Sequence, residues 1–73
     1  MNTDVYREAS QRRGLSQRRV AQAADINPVT LSQILNRKMT PSVSIARRIA
    51  DAVGASLDDL WPVQFRQNAQ QYA

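Results

Sequence analysis

Apolar residues recur along the chain at three- and four-residue intervals, in short runs broken by polar clusters. This is the period of amphipathic helices, and the strict alternation of strands is nearly absent. The pattern predicts five short helices. The first extends from about Thr3 or Asp4 to Arg13, with Thr3 as its N-cap. Val5 and Ala9 share its inward face, Tyr6 packs beside them, and Gly14 follows the end. The second starts at Ser16 as N-cap and runs to Ala24, with Val20, Ala21 and Ala24 inward. After Asp25-Ile26-Asn27, Pro28 stands at the first position of a third helix, where its missing N–H costs nothing. That helix continues to about Asn36. At ~100° per residue, Leu31, Ile34 and Leu35 fall on one face and Val29, Gln33 and Asn36 on the other. Ser32 and Arg37 flank this outward face.

A loop, Arg37-Lys38-Met39-Thr40-Pro41, leads to Ser42, which caps a fourth helix ending at Val53 before Gly54. Its inward stripe is Ala46, Ile49, Ala50 and Val53, with Ile45 alongside. Ser56 and Asp59 have capping-box spacing and open a short fifth helix that Pro62 stops. The expected fold class is all-α, a compact bundle of five helices. Residues 1–61 form the domain, and residues 62–73 form a Gln-rich tail.

Two adjacent helices matter most. In Gln17 to Asn36, QRRVAQAADINPVTLSQILN, apolar side chains fall at Val20, Ala24, Ile26, Leu31 and Ile34, and a joint of a few residues separates the helices. Such a pair packs at a steep angle and leaves its second helix protruding, as a DNA-reading helix does. The outward face of the third helix supports that role. It carries a valine and short amide or hydroxyl groups and no acid, whereas a helix facing plain water usually carries Glu and Lys.

Charge sharpens the picture. From Arg12 to Arg48 there are eight basic residues and one acid, Asp25. Outside that span Arg7 and Arg66 are outnumbered by Asp4, Glu8, Asp51, Asp58 and Asp59. A basic patch on one part of a domain is the footprint of a nucleic-acid partner. Nine of the ten basic residues are arginine, suited to forked contacts with phosphate and guanine. Catalysis has little to work with. The chain has no cysteine and no histidine, and its two glycines form no phosphate loop. Neither an enzyme, a metal site nor a cofactor is expected. No apolar run approaches a membrane span and the N-terminus lacks the pattern of a signal peptide, so a cytoplasmic protein without a membrane partner is expected.

The order of these pieces resembles the Cro and cI repressor-like helix-turn-helix proteins of phages and bacteria, the xenobiotic-response-element family. The resemblance rests on Gly14-Leu15-Ser16-Gln17, Val20-Ala21, Ala24, Ile26, Thr30-Leu31-Ser32, Ile34, Pro41-Ser42, Ile49-Ala50, Val53-Gly54 and Ser56-Leu57-Asp58-Asp59-Leu60. It covers about residues 5 to 61. Three departures stand out. The family's joint glycine is Asp25, a residue that tolerates the left-handed backbone. An arginine–glutamate pair common in the family is replaced by Ser10 and Leu35, so both charges are gone together. Arg37 stands where a glycine often follows the recognition helix, which implies a longer helix or a different exit.

The resemblance implies a lambda-repressor-like domain acting as a dimeric, sequence-specific transcriptional repressor on double-stranded DNA. Base contacts are expected from Asn27, Val29, Thr30, Ser32 and Gln33. Gln33 is the best reader, since its amide can address adenine in a bidentate way, and Val29 can meet a thymine methyl. Asn27 either reads a base or only caps the helix. Phosphate contacts are expected from Ser16, Gln17, Asn36, Arg37, Lys38 and Ser42. Arg47 and Arg48 are expected to be a solvated face that adds to the long-range field. Leu60, Trp61, Val63 and Phe65 supply apolar surface for a homodimer. An alternative is an antitoxin that neutralises a protein toxin and autoregulates its operon, with residues 62–73 as the toxin-binding extension.

Overall fold

The computed structural model describes residues 1–62. Its elements are α1 (Thr3–Arg12), α2 (Gln17–Ala23), α3 (Pro28–Leu35), α4 (Val43–Val53) and α5 (Leu57–Leu60). The described residues contain no strand, so the all-α class expected of the sequence is the one found. None of these helices is long and apolar enough to cross a membrane.

Every helix starts on a short polar side chain that accepts from an otherwise orphaned N–H. The oxygen of Asn2 accepts from Val5 at 3.3 Å and that of Ser16 from Arg19 at 3.2 Å. Asn27 accepts from Val29 at 2.8 Å, Ser42 from Ile45 at 3.2 Å and Ser56 from Asp59 at 3.0 Å. Each such cap stabilises by about 1 kcal/mol. The first differs from expectation. Thr3 already lies in the helix, and Asn2, with extended backbone angles, is the cap.

The first four helices end alike. A residue at or just after the cap turns left-handed, and two backbone bonds close the last turn in the Schellman pattern. At Gly14 the bonds are Leu15 N–H to Ser10 at 2.9 Å and Gly14 N–H to Gln11 at 3.0 Å; at Asp25 they are Ile26 N–H to Ala21 at 3.0 Å and Asp25 N–H to Gln22 at 3.1 Å. At Arg37 they are Lys38 N–H to Gln33 at 2.8 Å and Arg37 N–H to Ile34 at 3.1 Å; at Gly54 they are Ala55 N–H to Ala50 at 3.0 Å and Gly54 N–H to Asp51 at 3.3 Å. Asp25 therefore serves in the turn as expected. Arg37 neither lengthens α3 nor changes its exit. It adopts the glycine-like conformation itself, at a φ of 61°.

The core joins α2, α3 and α4. Val20, Ala21, Leu31, Ala46 and Ile49 have no accessible surface, and Ala24, Ile34, Ala50 and Val53 have almost none. Two alanines on α2 and two on α4 leave room for close approach, and α2 packs against both α3 and α4. On α1 the buried stripe is Tyr6, Ala9 and Ser10, while the expected Val5 is half-buried. Ser10 settles its hydroxyl locally by donating to the Arg7 carbonyl at 3.0 Å. With Leu35 half-buried, the missing ion pair strands no charge in the core. Asn2 N–H donates to the Leu60 carbonyl at 2.7 Å and ties the start of α1 to the end of α5. At the opposite end of α1, the Arg13 guanidinium reaches the Ala52 carbonyl at 3.4 Å and lies over Gly54. A Cβ on Gly54 would come within 2.6 Å of that guanidinium, but this is the flexible end of an exposed side chain and can move aside, so it is the left-handed φ of 76° that favours glycine here.

The fold does not put Leu60 and Trp61 at the apolar surface expected of them. Leu60 is inaccessible and Trp61 is 3% exposed. Both fill the interior of their own domain and have no surface to offer a second copy. Val63 and Phe65 lie outside the described residues.

Tyr6 and Leu31 mark opposite energetic cases. The Tyr6 hydroxyl is buried with no hydrogen-bond partner among the described residues, and burial also raises the pKa of the phenol. Removing an unsatisfied buried hydroxyl should be neutral or stabilising, so Tyr6→Phe should raise the melting temperature or leave it unchanged. Leu31→Ala should instead cost about 2–5 kcal/mol through a core cavity, a large share of the stability of so small a domain. Thermal unfolding of the two variants checks both signs. A marked loss for Tyr6→Phe or no loss for Leu31→Ala would refute this core.

Candidate nucleic-acid interface

The candidate interface comprises the starts of α2, α3 and α4 and the loop after α3. The Schellman turn at Asp25 and the Asn27 cap join α2 to α3 within four residues. With Leu31 and Ile34 committed to the core, the helical period leaves Val29 and Gln33 on the outer side. Val29 is 63% exposed and Gln33 is exposed, with its side chain free of any hydrogen bond among the described residues. Both the donor and the acceptor of its amide are therefore available to a ligand. Thr30 and Ser32, on the flanks, are half-buried.

Asn27 is a cap. Its oxygen is engaged by the Val29 N–H, which leaves its amide NH₂ as the outward group. Asn36 is exposed and its amide donates to the Ser32 hydroxyl at 3.4 Å. Ser16, Gln17, Arg37, Lys38 and Ser42 are all exposed at helix starts or in the loop. Ser16 and Ser42 accept in their caps and retain a hydroxyl proton to donate. The loop is fixed at both ends, by the bonds at Arg37 and by the buried Pro41 before the Ser42 cap. Lys38, Met39 and Thr40 form its exposed tip.

Charge at the helix starts divides the molecule. The N-terminal end of a helix carries partial positive charge and ordinarily attracts acids. Asp4 occupies the first turn of α1, and Asp58 and Asp59 that of α5. The first turns of α2, α3 and α4 hold no acid. That of α2 holds Arg18 and Arg19, both exposed and both set against the dipole. Such an arrangement is unfavourable for an isolated protein and favourable beside a polyanion. The sequence reading did not single out Arg18 and Arg19. Their placement in the first turn of a helix, set against the general preference for acids there, is the signal that could have found them.

Arg12 pairs with Glu8 at 2.9 Å on the surface. Arg18, Arg19, Arg37, Lys38, Arg47 and Arg48 hold no ion pair among the described residues, so their field acts outward. The exposed large apolar residues of the described chain are Val29, Met39 and Val43. They sit at the start of α3, at the loop tip and at the start of α4. Met39 and Val43 were also missed in the sequence, because an isolated apolar residue in a loop or first turn leaves no periodic trace. The described residues contain no cluster of three or more potential metal ligands.

A helix-turn-helix family model matches residues 6–60, which is most of the chain. No characterised protein and no solved structure gives a significant match. The matched span begins within α1, ends with α5 and includes both helices of the interface. With its lambda-repressor-like arrangement of five helices, the chain belongs to the Cro and cI repressor-like helix-turn-helix family of DNA-binding regulators.

Proposed function

We propose that this protein is a transcriptional repressor that binds a pseudo-palindromic operator as a homodimer, with α3 in the major groove of each half-site. The observation that carries the reading is the outer face of α3. Gln33 offers an uncommitted amide in the middle of that face, Val29 offers methyl groups one turn earlier, and no acid stands between them. A side-chain amide can pair with adenine in a bidentate way, and a valine methyl suits the thymine C5-methyl group. Thr30 and Ser32 have less surface and play a lesser part, and Asn27 contributes only through its NH₂. Around this reading face, Ser16, Gln17, Asn36, Arg37, Lys38 and Ser42 hold the DNA backbone and set the register. Arg18 and Arg19 join them at the start of α2. Repression then follows from occupancy, since a bound dimer excludes other proteins from the same duplex.

The dimer is favoured by the size of the reading surface. One small module buries roughly 600–1,000 Å² of protein surface on DNA, too little for tight and polar recognition. Two copies on one face of the duplex place their recognition helices about 34 Å apart. Because Leu60 and Trp61 are interior, contact between copies must use other surface. Nothing among the described residues favours the antitoxin reading, whose toxin-binding extension would fall almost wholly outside them.

Base and phosphate contacts respond differently to salt, and this separates them. Gln33→Ala should weaken binding to the operator by about 1–3 kcal/mol and relax preference at one position, with the salt slope nearly intact. Lys38→Ala should weaken all sequences alike and reduce the slope of log affinity against log salt by about 1. Affinities for the operator and its one-base variants across a salt series decide this. If Gln33→Ala keeps the wild-type ranking of sites, Gln33 is not the reader. Operator selection from a random DNA library, followed by measurement of the mass of the complex, tests the dimer. Two copies per symmetric site are expected, and tight binding by one copy to an asymmetric site would refute it.

A further inference from the structure

Asp25 and Arg37 are the residues other than glycine that hold a left-handed backbone among those described, at φ values of 56° and 61°. They bracket α3, one in the turn that leads in and one in the turn that leads out. Both turns carry the same pair of backbone bonds as those at Gly14 and Gly54. Glycine would therefore meet the geometry at either position with less steric strain. Aspartate visits this region at a reduced penalty, because its short polar side chain can interact with the local backbone. Arginine has no such relief. The Arg37 side chain forms no hydrogen bond or ion pair among the described residues, and the residue is exposed. Its charge does meet the carbonyl end of α3 favourably, but that effect is smaller than the left-handed penalty, and Lys38 supplies the same charge at the same end.

The fold thus holds a strained arginine where it gains little from it. Strain of this kind persists where it serves function. Arg37 stands immediately beyond the reading helix, beside exposed Lys38, in a loop without acids. We infer that Arg37 is a DNA-phosphate contact that trades stability for affinity: its left-handed backbone weakens the fold, and its guanidinium strengthens the hold on the duplex. The inference rests on the DNA-binding reading above and adds to it the energetic conflict at this one residue. Asp25 is the natural contrast. It shares the backbone strain but carries the opposite charge, and it is the single acid in the basic span from Arg12 to Arg48.

Thermal unfolding and DNA affinity across a salt series, measured on the full chain, test the inference with Arg37→Gly, Arg37→Asn and Asp25→Gly. Asparagine tolerates the left-handed region without the extra unfolded-state freedom of glycine, so the two Arg37 variants check each other. Both should melt about 2–8 °C above the wild type. Both should bind DNA on the order of tenfold more weakly, with a salt slope shallower by about 1. Asp25→Gly should also melt higher and should bind DNA at least as tightly as the wild type. If both Arg37 variants melt lower, the arginine stem is packing usefully beside Ile34 and Trp61, which line the same small hollow, and the strain is not what sets its effect. If they bind with wild-type affinity and slope, Arg37 touches no phosphate. Either result overturns the inference. A wild-type chain without salt-dependent DNA binding would overturn the DNA reading and this inference together, and that control is distinguishable because it is read before any variant.

Discussion

Burial of Leu31 and Ile34 in the core shared by α2, α3 and α4 decides what α3 can present to the outside. A helix of eight residues has too few internal hydrogen bonds to persist alone in water. It exists because two of its side chains are removed from solvent and because both ends are closed. Once these two residues are fixed inward, Val29 and Gln33 can only face outward. The proposed reading surface is therefore a by-product of packing, and its precision depends on how rigidly the core grips one side of a short helix.

The helix ends carry the second half of the design. Short Ser and Asn caps close the starts, and left-handed Schellman turns close the ends of α1 to α4. Two of those turns use glycine, and the two that flank α3 do not. The charges follow the same division. Acids neutralise the starts of α1 and α5, while the starts of α2, α3 and α4 are left positive or made more so by Arg18 and Arg19. Features that are unfavourable within the protein alone, namely a strained arginine, arginines against a dipole and an exposed valine, gather on the surface proposed to meet DNA.

Much of this was legible in the sequence because its causes are local. Ser16, Asn27, Ser42 and Ser56 each precede a helix and cap it, and Pro28 sits at the first helical position as its lost N–H requires. The inward stripes of α2 and α4 followed from period alone. What escaped depended on space or on a close choice. Asn2 and Thr3 are adjacent and both can cap, so only the backbone angles distinguish them. Val5 and Tyr6 sit one position apart on α1, and the tyrosine is the one buried although its hydroxyl finds no partner among the described residues. Leu60 and Trp61 suggested an interface because a linear pattern does not show how much room alanine-rich helices leave inside. They occupy that room instead. At Arg37 the missing glycine was visible, but a longer helix and a strained turn look alike until the hydrogen bonds from Arg37 and Lys38 are seen.

The central claim is that one contiguous surface, the starts of α2, α3 and α4 with the loop between α3 and α4, meets the duplex. Its most direct test is a two-dimensional NMR titration of the isotope-labelled chain with a DNA duplex carrying a selected operator. The largest shifts are expected at Gln17 to Arg19, Asn27 to Gln33, Asn36 to Thr40 and Ser42 to Ser44. The outer faces of α1 and α5, including Glu8 and Asp58, should change little. Shifts concentrated on α1 and α5, with the outer face of α3 undisturbed, would contradict it.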